Sequence, residues 1–501
     1  MKIELEDIVN LCKRRGIIFP SGEIYGGFAG FFDYGPVGAE IKRRILNEWW
    51  KFFVSMRDDI YGIFPAIITS PNVWKASGHV DEFIDILVEC KKCKSRYKAE
   101  NLLEKYGIAV TDFTVENIAR LIADNNIKCP KCGGKIGEPR RFNLMIEATV
   151  GSVKDGSSAA YLRPEIAQGM FIDFKIINIA MRATLPFGIA GMGKVFRNEI
   201  SPRTFIFRCR EFEIAEIEYF VDPDKQNDCP YFDEVKNIKV KIWPKDAQKS
   251  EKEAEEMTIG EAYEHGVFSN KWHAYWCGKA LEWLIRMGIR PNNLRLREHL
   301  ETELAHYALQ TFDIEYYFPY LGWKEIVGIA NRTDYDLRRH SEHSGEKLYV
   351  VENGKKIYPL CIEPSFGVER VFLAIITDAY SIVDGKIVLK LKPKLAPYDV
   401  GVFPLLKRKD FVEKANNVNM LLKQNDLITY IDFSGKIGRC YARADEIGIP
   451  FAITIDHKTL EDDTVTIRFR DTREQIRVSL NDLVSKLKDL IYHHNSINFD
   501  W

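Results

Sequence analysis

The stretch that most restricts the fold of this chain runs from Arg208 to Phe220, where Phe212, Ile214, Glu216, Glu218 and Phe220 fall at alternate positions. Period two is the repeat of a β-strand, so these five side chains point to one face of a sheet. A face that mixes two carboxylates with aromatics is poor core material, because a buried charge must be paired. Upstream, Phe196-Arg197-Asn198-Glu199 closes a first strand, and Ile200 to Phe207 form a basic loop. The arrangement is strand, loop, returning strand. Spacing alone leaves two readings open. Either Arg197, Arg208 and Arg210 pair with Glu199, Glu211 and Glu213 on a solvated hairpin, or the charged face belongs to a phosphate or nucleotide site.

The chain has 501 residues, too many for one hydrophobic core, so roughly two to four domains are expected. Lys and Arg total 71 against 72 for Asp and Glu, a net charge of -1. Bulk polycation binding to nucleic acid is therefore not indicated, although a local basic surface remains open. No run approaches the roughly 20 apolar residues of a membrane span. The opening residues, Met1 to Gly16, alternate charged and apolar positions like an amphipathic helix and lack a secretory apolar region. A cytoplasmic protein with no membrane partner is expected.

Four of the ten cysteines form two close pairs, Cys90/Cys93 and Cys129/Cys132, the second followed by Gly133 and Gly134. A Cys-x-x-Cys turn offers two thiolates to one cation, and two such turns complete a tetrahedral shell for Zn²⁺. The expectation is a closed structural zinc site without a catalytic role. The alternative is a pair of reduced, metal-free turns. The segment between the pairs has helical periodicity from Asn117 to Asn126. The other six cysteines are scattered and read as buried thiols.

Elsewhere the chain changes character in blocks. Gly16 to Gly38 is dense in glycine and aromatics, which is rigid turn chemistry. A helix is expected from about Ala39 to Met56, with Ile41, Ile45, Trp49, Phe52 and Phe53 near 3.6 spacing. Pro139 to Val221 and Leu294 to Leu373 are rich in β-type runs. Asp222 to about Asn292 changes character, and its charged stretch ahead of Met257 reads as a solvated face or helix of an insertion. Lys392-Pro393 and Ala396-Pro397 mark a linker. From Tyr398 onwards strands alternate with helices, which implies an α/β layer.

Gly188 to Val195 nearly spells a phosphate-binding loop, but Val195 stands where the magnesium-binding hydroxyl belongs, and no helix-favouring run follows. Gly435 to Gly438 is too short for a dinucleotide fingerprint. More telling is Cys361-Ile-Glu363-Pro364-Ser365-Phe366-Gly367-Val368-Glu369-Arg370. Proline disfavours a central strand, so the chain is expected to leave a strand at Glu363 and enter an apolar helix with Arg370 near its start. His299, Glu303 and His306, at i, i+4 and i+7, admit a shared helical face, with satisfied histidines the alternative.

The Phe196–Phe220 hairpin, the Cys361–Arg370 stretch and the helix near Gly38–Met56 resemble the three signature motifs of class II aminoacyl-tRNA synthetases. EIYGGFAGFFDYGPVG, WKASGH, YLRPEIAQGMF and GWKEIVGIANRTDYDL extend the likeness to the glycyl-tRNA synthetases of the homodimeric kind. The resemblance is weakest in Cys90–Cys132 and Asp222–Asn292. It implies an α+β fold: a six- or seven-stranded antiparallel sheet with flanking helices, insertions, and a C-terminal α/β anticodon-binding domain. Implied boundaries are catalytic core at 1–86, 141–221 and 294–390, a Cys-rich insertion at 87–140, a second insertion at 222–293, and the anticodon-binding domain at 393–501.

The resemblance further implies a ligase that activates glycine with ATP and Mg²⁺ to glycyl-adenylate and passes it to tRNA(Gly). The motif 1 helix would form a homodimer interface. Arg197 matches the catalytic arginine on the α-phosphate, and Arg370 the second catalytic cation near the γ-phosphate. Asn198, Glu199, Arg208, Cys209, Phe212, Glu325 and Ile326 complete the implied ATP contacts, with Glu199 toward the adenine amino group, Phe212 and Arg370 sandwiching the base, and Glu325 near the metal. Glu165, Glu216, Glu363, Ser365 and Arg332 match the glycine pocket. There the carboxylates would meet the ammonium and Arg332 the carboxylate end, leaving no room for a methyl group. Arg439, Arg443, Arg468 and Arg470 are candidates for anticodon contact, with salt pairs to Asp445, Glu446 and Asp471 the alternative. After Arg203-Thr204 this chain has Phe205 where the family has a small glycine.

Overall fold

A computed structural model describes residues 3–108, 110, 112–151, 158–200, 202 and 204–492. Arg203, at the departure in the motif 2 loop, lies outside the described residues, as do His493 and His494 beyond the closing helix.

The body is built on one sheet of nine strands. In chain order these are β1 (Ile60–Ile63), β2 (Phe187–Phe196), β3 (Glu211–Val221), β4 (Lys239–Trp243), β5 (Glu255–Thr258), β6 (Leu294–Glu298), β7 (Gln310–Phe318), β8 (Gly322–Thr333) and β9 (Leu360–Gly367). Their order in space is β5-β4-β6-β7-β8-β9-β3-β2-β1. All neighbours are antiparallel except β4 with β6 and β1 with β2.

Parity along β3 sorts the two faces. Ala215, Ile217, Tyr219 and Val221 belong to the large core, and that face is covered by three helices. These are α1 (Pro36–Trp50), α3 (Lys271–Arg286) and α4 (Val368–Ala379); the helix between them in sequence, α2 (Ala167–Met181), lies on the other face. There Phe174 meets Phe220 edge to face at 4.7 Å between ring centroids. This second face also carries Glu216 and Glu218. The alternation read from the sequence thus puts the two acids under α2.

The helix expected from Ala39 starts three residues earlier, because Pro36 sits at its first turn with φ already preset. Gly38 is fixed by contact: a Cβ there would fall 1.9 Å from the carbonyl oxygen of Ile17. Gly188 to Val195, set aside as a phosphate loop, lies within β2.

Two local expectations need correction. The interval 222–293 is not set apart from the core, since it supplies β4, β5 and α3. Its charged text occupies the short helix Lys245–Lys249 and the sheet-edge strand β5, where solvent is close. Its apolar text becomes α3, whose Trp272, Trp276 and Trp283 are all buried. The sheet accordingly exceeds the six or seven strands expected. Second, the chain does not leave the sheet at Glu363: β9 continues through Pro364 to Gly367 between β8 and β3. Pro364 pairs with Ile329 of β8, and the β3 pairing is interrupted between Glu216/Ser365 and Tyr219/Ile362. The missing N–H falls in that gap, so no ladder bond is lost on the β8 side.

Residues 84–143 make a separate three-stranded sheet from Ile84–Glu89, Arg96–Lys98 and Arg140–Asn143, with its own small core around Val88, Leu103 and Ile118. The helical segment expected there runs Val115–Asp124, and the Thr114 side chain accepts from the Asn117 N–H as its cap.

The C-terminal unit is a five-stranded sheet in the order Thr429–Ile431, Val400–Pro404, Phe451–Ile455, Thr464–Phe469, Gln475–Ser479, with the first three parallel. Helices Lys409–Gln424, Ile437–Glu446 and Leu483–Tyr492 accompany it. It is held to the body by charge pairs: Arg15 Nε donates to Glu446 at 2.7 Å, Arg44 to Asp399 at 2.8 Å, and Lys394 to Glu48 at 2.7 Å. Among the described residues no helix is long and apolar enough to cross a membrane.

Candidate active site

Strands β2 and β3 pair from Phe187/Phe220 to Phe196/Glu211, and the Arg197 N–H donates to the Arg210 carbonyl at 2.9 Å. The hairpin therefore delivers Arg197 at the end of β2, while α4 delivers Arg370 one turn from its start. Both guanidinium groups line the same cavity, of about 120 Å³, together with Glu199, Arg208, Phe212 and Glu325. Cys209 and Ser365 also contribute to the wall.

Arg197 makes no ion pair among the described residues. Its Nε donates to the Pro164 carbonyl at 3.2 Å, and the guanidinium lies 5.4 Å from the centroids of both Phe212 and Phe83. Arg370 Nη1 donates to Glu325 Oε2 at 2.7 Å and its guanidinium lies over the Phe207 ring at 4.8 Å. Burial alone would raise the Glu325 carboxyl, yet Arg370 holds it below its usual range. A cation aimed into a cavity without a carboxylate partner is suited to an oxyanion, which a guanidinium meets with a planar fork.

The hairpin reading of the arginines is realised only in part. Arg208 Nε stands 3.1 Å from Glu199 Oε2. Arg210 instead bonds the carbonyls of Glu199 and Ala29, Glu211 pairs with Lys194, and Glu213 with Lys42. Two residues expected at ATP are off the cavity wall. Asn198 is tied through its N–H to the Leu144 carbonyl at 2.7 Å. Ile326 is buried in the core, because strand alternation turns it away from the face that carries Glu325. Cys209 is buried, and its thiol is pushed up to about 12 by burial.

Ser365 joins this cavity to a buried acidic group behind it. Its hydroxyl donates to Glu216 Oε1 at 2.7 Å, while Glu216 Oε2 accepts the N–H groups of Ile166 and Ala167, at 2.8 and 3.0 Å, at the start of α2. A helix N-terminus favours that negative charge. Glu165 lies 3.2 Å from His79 Nε2 and accepts from Gln168 at 3.0 Å. Burial works against ionisation of Glu165, but His79 and Arg332 hold it well below the usual carboxylate range. Burial pushes Glu216 up, and pushes Glu363 up despite Arg332 beside it.

Arg332 is fully buried and already saturated with protein acids. Its Nε and Nη2 donate to Asp336 at 2.8 and 2.9 Å, its Nη1 to Glu363 at 2.7 Å, and its guanidinium stacks 3.8 Å from the Tyr307 centroid. The expectation that Arg332 faces a substrate carboxylate therefore meets a side chain whose geometry organises Glu363 instead. Asp336, His79 and Gln168 belong to the same network and were not singled out from the sequence. Asp336 carried a usable signal, since it stands four residues after Arg332.

The four sequence-predicted cysteines come together, with all their sulfur atoms within 4.8 Å of one another. Cys90 to Cys132 and Cys93 to Cys129 are each 3.6 Å, close to the roughly 3.8 Å edge of a tetrahedron with 2.3 Å Zn–S bonds. A Cβ on Gly134 would reach within 3.1 and 3.2 Å of the sulfurs of Cys90 and Cys132, so glycine is required for the turn. Hydrogen bonding with Ser95 brings the Cys93 thiol down to about 6, while the neighbouring cysteines push that of Cys132 up to about 11. His299 and His306 share no helix: His299 lies 2.8 Å from Asp313, and His306 reaches the Ser77 carbonyl at 3.1 Å.

Of the anticodon candidates, Arg468 is buried against Asp445 with two bonds of 2.8 and 2.9 Å, and Arg470 against Asp471 and the Gly448 and Leu391 carbonyls. These two are structural. Arg443 bonds Asp432 and Ser434, and Arg439 is exposed.

Residues 151–380 match the family described as the tRNA synthetase class II core domain (G, H, P, S and T), and residues 399–490 match the anticodon binding domain. The chain is 43% identical to a glycine–tRNA ligase of Caldanaerobacter subterraneus subsp. tengcongensis, covering 98% of this chain and 99% of that one. It is 43% identical to the enzyme of Bifidobacterium longum, covering 95% and 91%, and 38% identical to that of Methanocaldococcus jannaschii, covering 97% and 98%. With likeness of that depth along nearly its whole length, on a sheet that presents two arginines to one cavity, the chain belongs to the glycine–tRNA ligase family of class II aminoacyl-tRNA synthetases.

Proposed function

We propose that this chain activates glycine with ATP in the cavity between Arg197 and Arg370 and transfers the glycyl group to the 3′-terminal adenosine of tRNA(Gly). The observation that carries the reading is the convergence of both guanidinium groups on one small cavity, whose wall includes Ser365, itself hydrogen-bonded to Glu216. The glycine carboxylate is itself the nucleophile toward the α-phosphate, so no side chain has to supply one. Arg197 neutralises charge that grows on the phosphorus oxygens in the transition state. Arg370 holds the distal phosphates, Glu199 and Arg208 complete the nucleotide walls, and Phe212 offers a π-face to the base. Glu325 would offer a carboxylate oxygen to Mg²⁺ brought in with ATP, and the ion would supply neutralisation of phosphate charge.

Glu216 and Glu363, both buried, bind the ammonium of glycine, and size does the sorting against a methyl on Cα. ATP–pyrophosphate exchange tests this directly: glycine should support exchange at least about 100-fold better than alanine or serine, by kcat/KM. Comparable exchange with alanine would overturn the pocket assignment.

The Cys90–Cys93–Cys129–Cys132 group holds Zn²⁺ as a closed structural site in the 87–140 domain, supported by its sulfur spacing. Metal removal with a strong chelator is expected to release one zinc per chain and to melt the Ile84–Asn143 unit below the body, a separate low-temperature transition in calorimetry. Unchanged melting after complete zinc loss would count against it. A homodimer is supported by exposed apolar side chains, with Phe64 at 75%, Ile176 at 66% and Ile179 at 65% exposure. The balanced composition suits a cytoplasmic enzyme.

A further inference from the structure

The mechanism above makes no use of Glu218. Glu218 follows Glu216 by two residues on β3, shares its face, and is 0% exposed. One oxygen of each of Glu216, Glu218 and Glu363 lies within 4.8 Å of the others. The Cys361 thiol donates to Glu218 Oε2 at 2.9 Å, but Glu218 Oε1 has no hydrogen-bond partner. An orphaned, fully buried oxygen beside two other carboxylates is costly in any ionised arrangement.

The charges around it decide its form. On its own strand stands Glu216; on β9 stand Cys361 and Glu363; on β8 stands Arg332. The one cation, Arg332, already makes its short bonds to Asp336 and Glu363. Burial, then the charge of Glu363, raises the Glu218 carboxyl well above its ordinary value. Two acids this close titrate as a pair and keep one proton between them at neutral pH. Glu363 has the guanidinium beside it, so the proton rests on Glu218. Its acceptor follows from valence. Glu216 already accepts three hydrogen bonds on its two oxygens, whereas Glu363 spends only Oε1 on Arg332.

We propose that Glu218 is a positioning residue for glycine: as a neutral carboxylic acid beneath the pocket, it donates from Oε1 to Glu363 and fixes the carboxylate that meets the substrate ammonium. This rests on the glycine-pocket reading given above. Glu218 touches no substrate; it acts through Glu363. It also keeps the empty pocket from accumulating a further unpaired negative charge. Ionisation of Glu218 as pH rises removes that donor, so glycine binding weakens toward alkaline pH.

The test is ATP–pyrophosphate exchange with wild type, Glu218→Leu and Glu218→Gln, titrating glycine and ATP separately between pH 6.5 and 9. Glu218→Leu, which keeps the volume but has no donor, should raise the glycine KM about tenfold or more while the ATP KM stays within about twofold. Glu218→Gln, which keeps a donor, should hold the glycine KM near wild type at pH 7. Because the amide keeps its donor at every pH, the ratio of wild-type to Glu218→Gln glycine KM should rise as pH rises. A pH-independent ratio overturns the proposal, even if the leucine variant does not fold. So does a leucine variant that folds and leaves the glycine KM unchanged. Glu363→Gln separates the two levels. If it leaves glycine KM unaltered, the pocket reading fails and takes this inference with it; if it raises glycine KM while both Glu218 variants behave as wild type, only the Glu218 role falls.

Discussion

Arg197→Ala is expected to slow glycine-dependent ATP–pyrophosphate exchange by about a thousandfold in kcat/KM, which corresponds to roughly 4 kcal/mol of transition-state stabilisation. The size follows from position. The guanidinium makes no ion pair among the described residues, so its charge is held for something that arrives. A phosphate oxygen gains charge as the pentavalent state forms, and an oriented cation in a small cavity stabilises it at little reorganisation cost. Arg197→Lys should recover only part of the rate, because an ammonium is a point charge and cannot fork between two oxygens. Three controls sharpen the test. Stability should change little, since the side chain makes one hydrogen bond to the Pro164 carbonyl. Affinity for tRNA(Gly), measured at fixed salt, should stay within about twofold, because the anticodon-binding unit starts two hundred residues later on a separate sheet. The glycine KM should move less than kcat, as befits an interaction made mainly in the transition state. Exchange at the wild-type rate would remove Arg197 from the mechanism.

How much of this was legible without coordinates depends on the range of the interaction. Strand parity is local, so Glu216 and Glu218 could be set on one face of the returning strand from spacing alone, and β3 puts them there. The cysteine pairs carried their own geometry. Which acids meet is another matter. Glu165 precedes α2, Glu216 lies on β3, Arg332 ends β8 and Glu363 is on β9, so their meeting depends on a strand order that no spacing reveals. Family motifs bridged that distance for those four, and left Glu218 without a role because it lies behind the contacts that motifs record. The interval 222–293 misled for a physical reason. Charged and apolar text alternate there on the scale of whole elements, and averaging over the block hid a helix as buried as α3. Pro364 misled because the rule against proline in a central strand concerns the N–H, and a gap in the β3–β9 ladder makes the N–H dispensable. For Arg468 and Arg470 the sequence left anticodon contact and salt pairing open, and their burial, paired with Asp445 and Asp471, is the second of these.

The second large effect concerns stability and substrate together. Arg332→Met is expected to destabilise the protein by about 3–5 kcal/mol and to remove measurable glycine activation. The guanidinium is 0% exposed and compensates Asp336, Glu363 and Glu165, all buried. Methionine fills much of the volume, so the loss is electrostatic more than a cavity. With the cation gone, the folded-state pKa values of Glu165 and Glu363, which Arg332 holds down, rise. A group with a raised native pKa binds more protons when folded, so stability falls as pH climbs from the unfolded pKa toward the folded one. The deficit relative to wild type should therefore be smaller at pH 5.5 than at pH 8, and thermal melts at both values measure it. Asp336→Asn in the Arg332→Met background should return part of the stability by removing one unpaired charge, although Asp336→Asn alone should be destabilising. That reversal of sign is the diagnostic. A cavity or a packing defect would add the two losses, at every pH, and such additivity would mean that Arg332 holds the pocket by its shape and not by its charge.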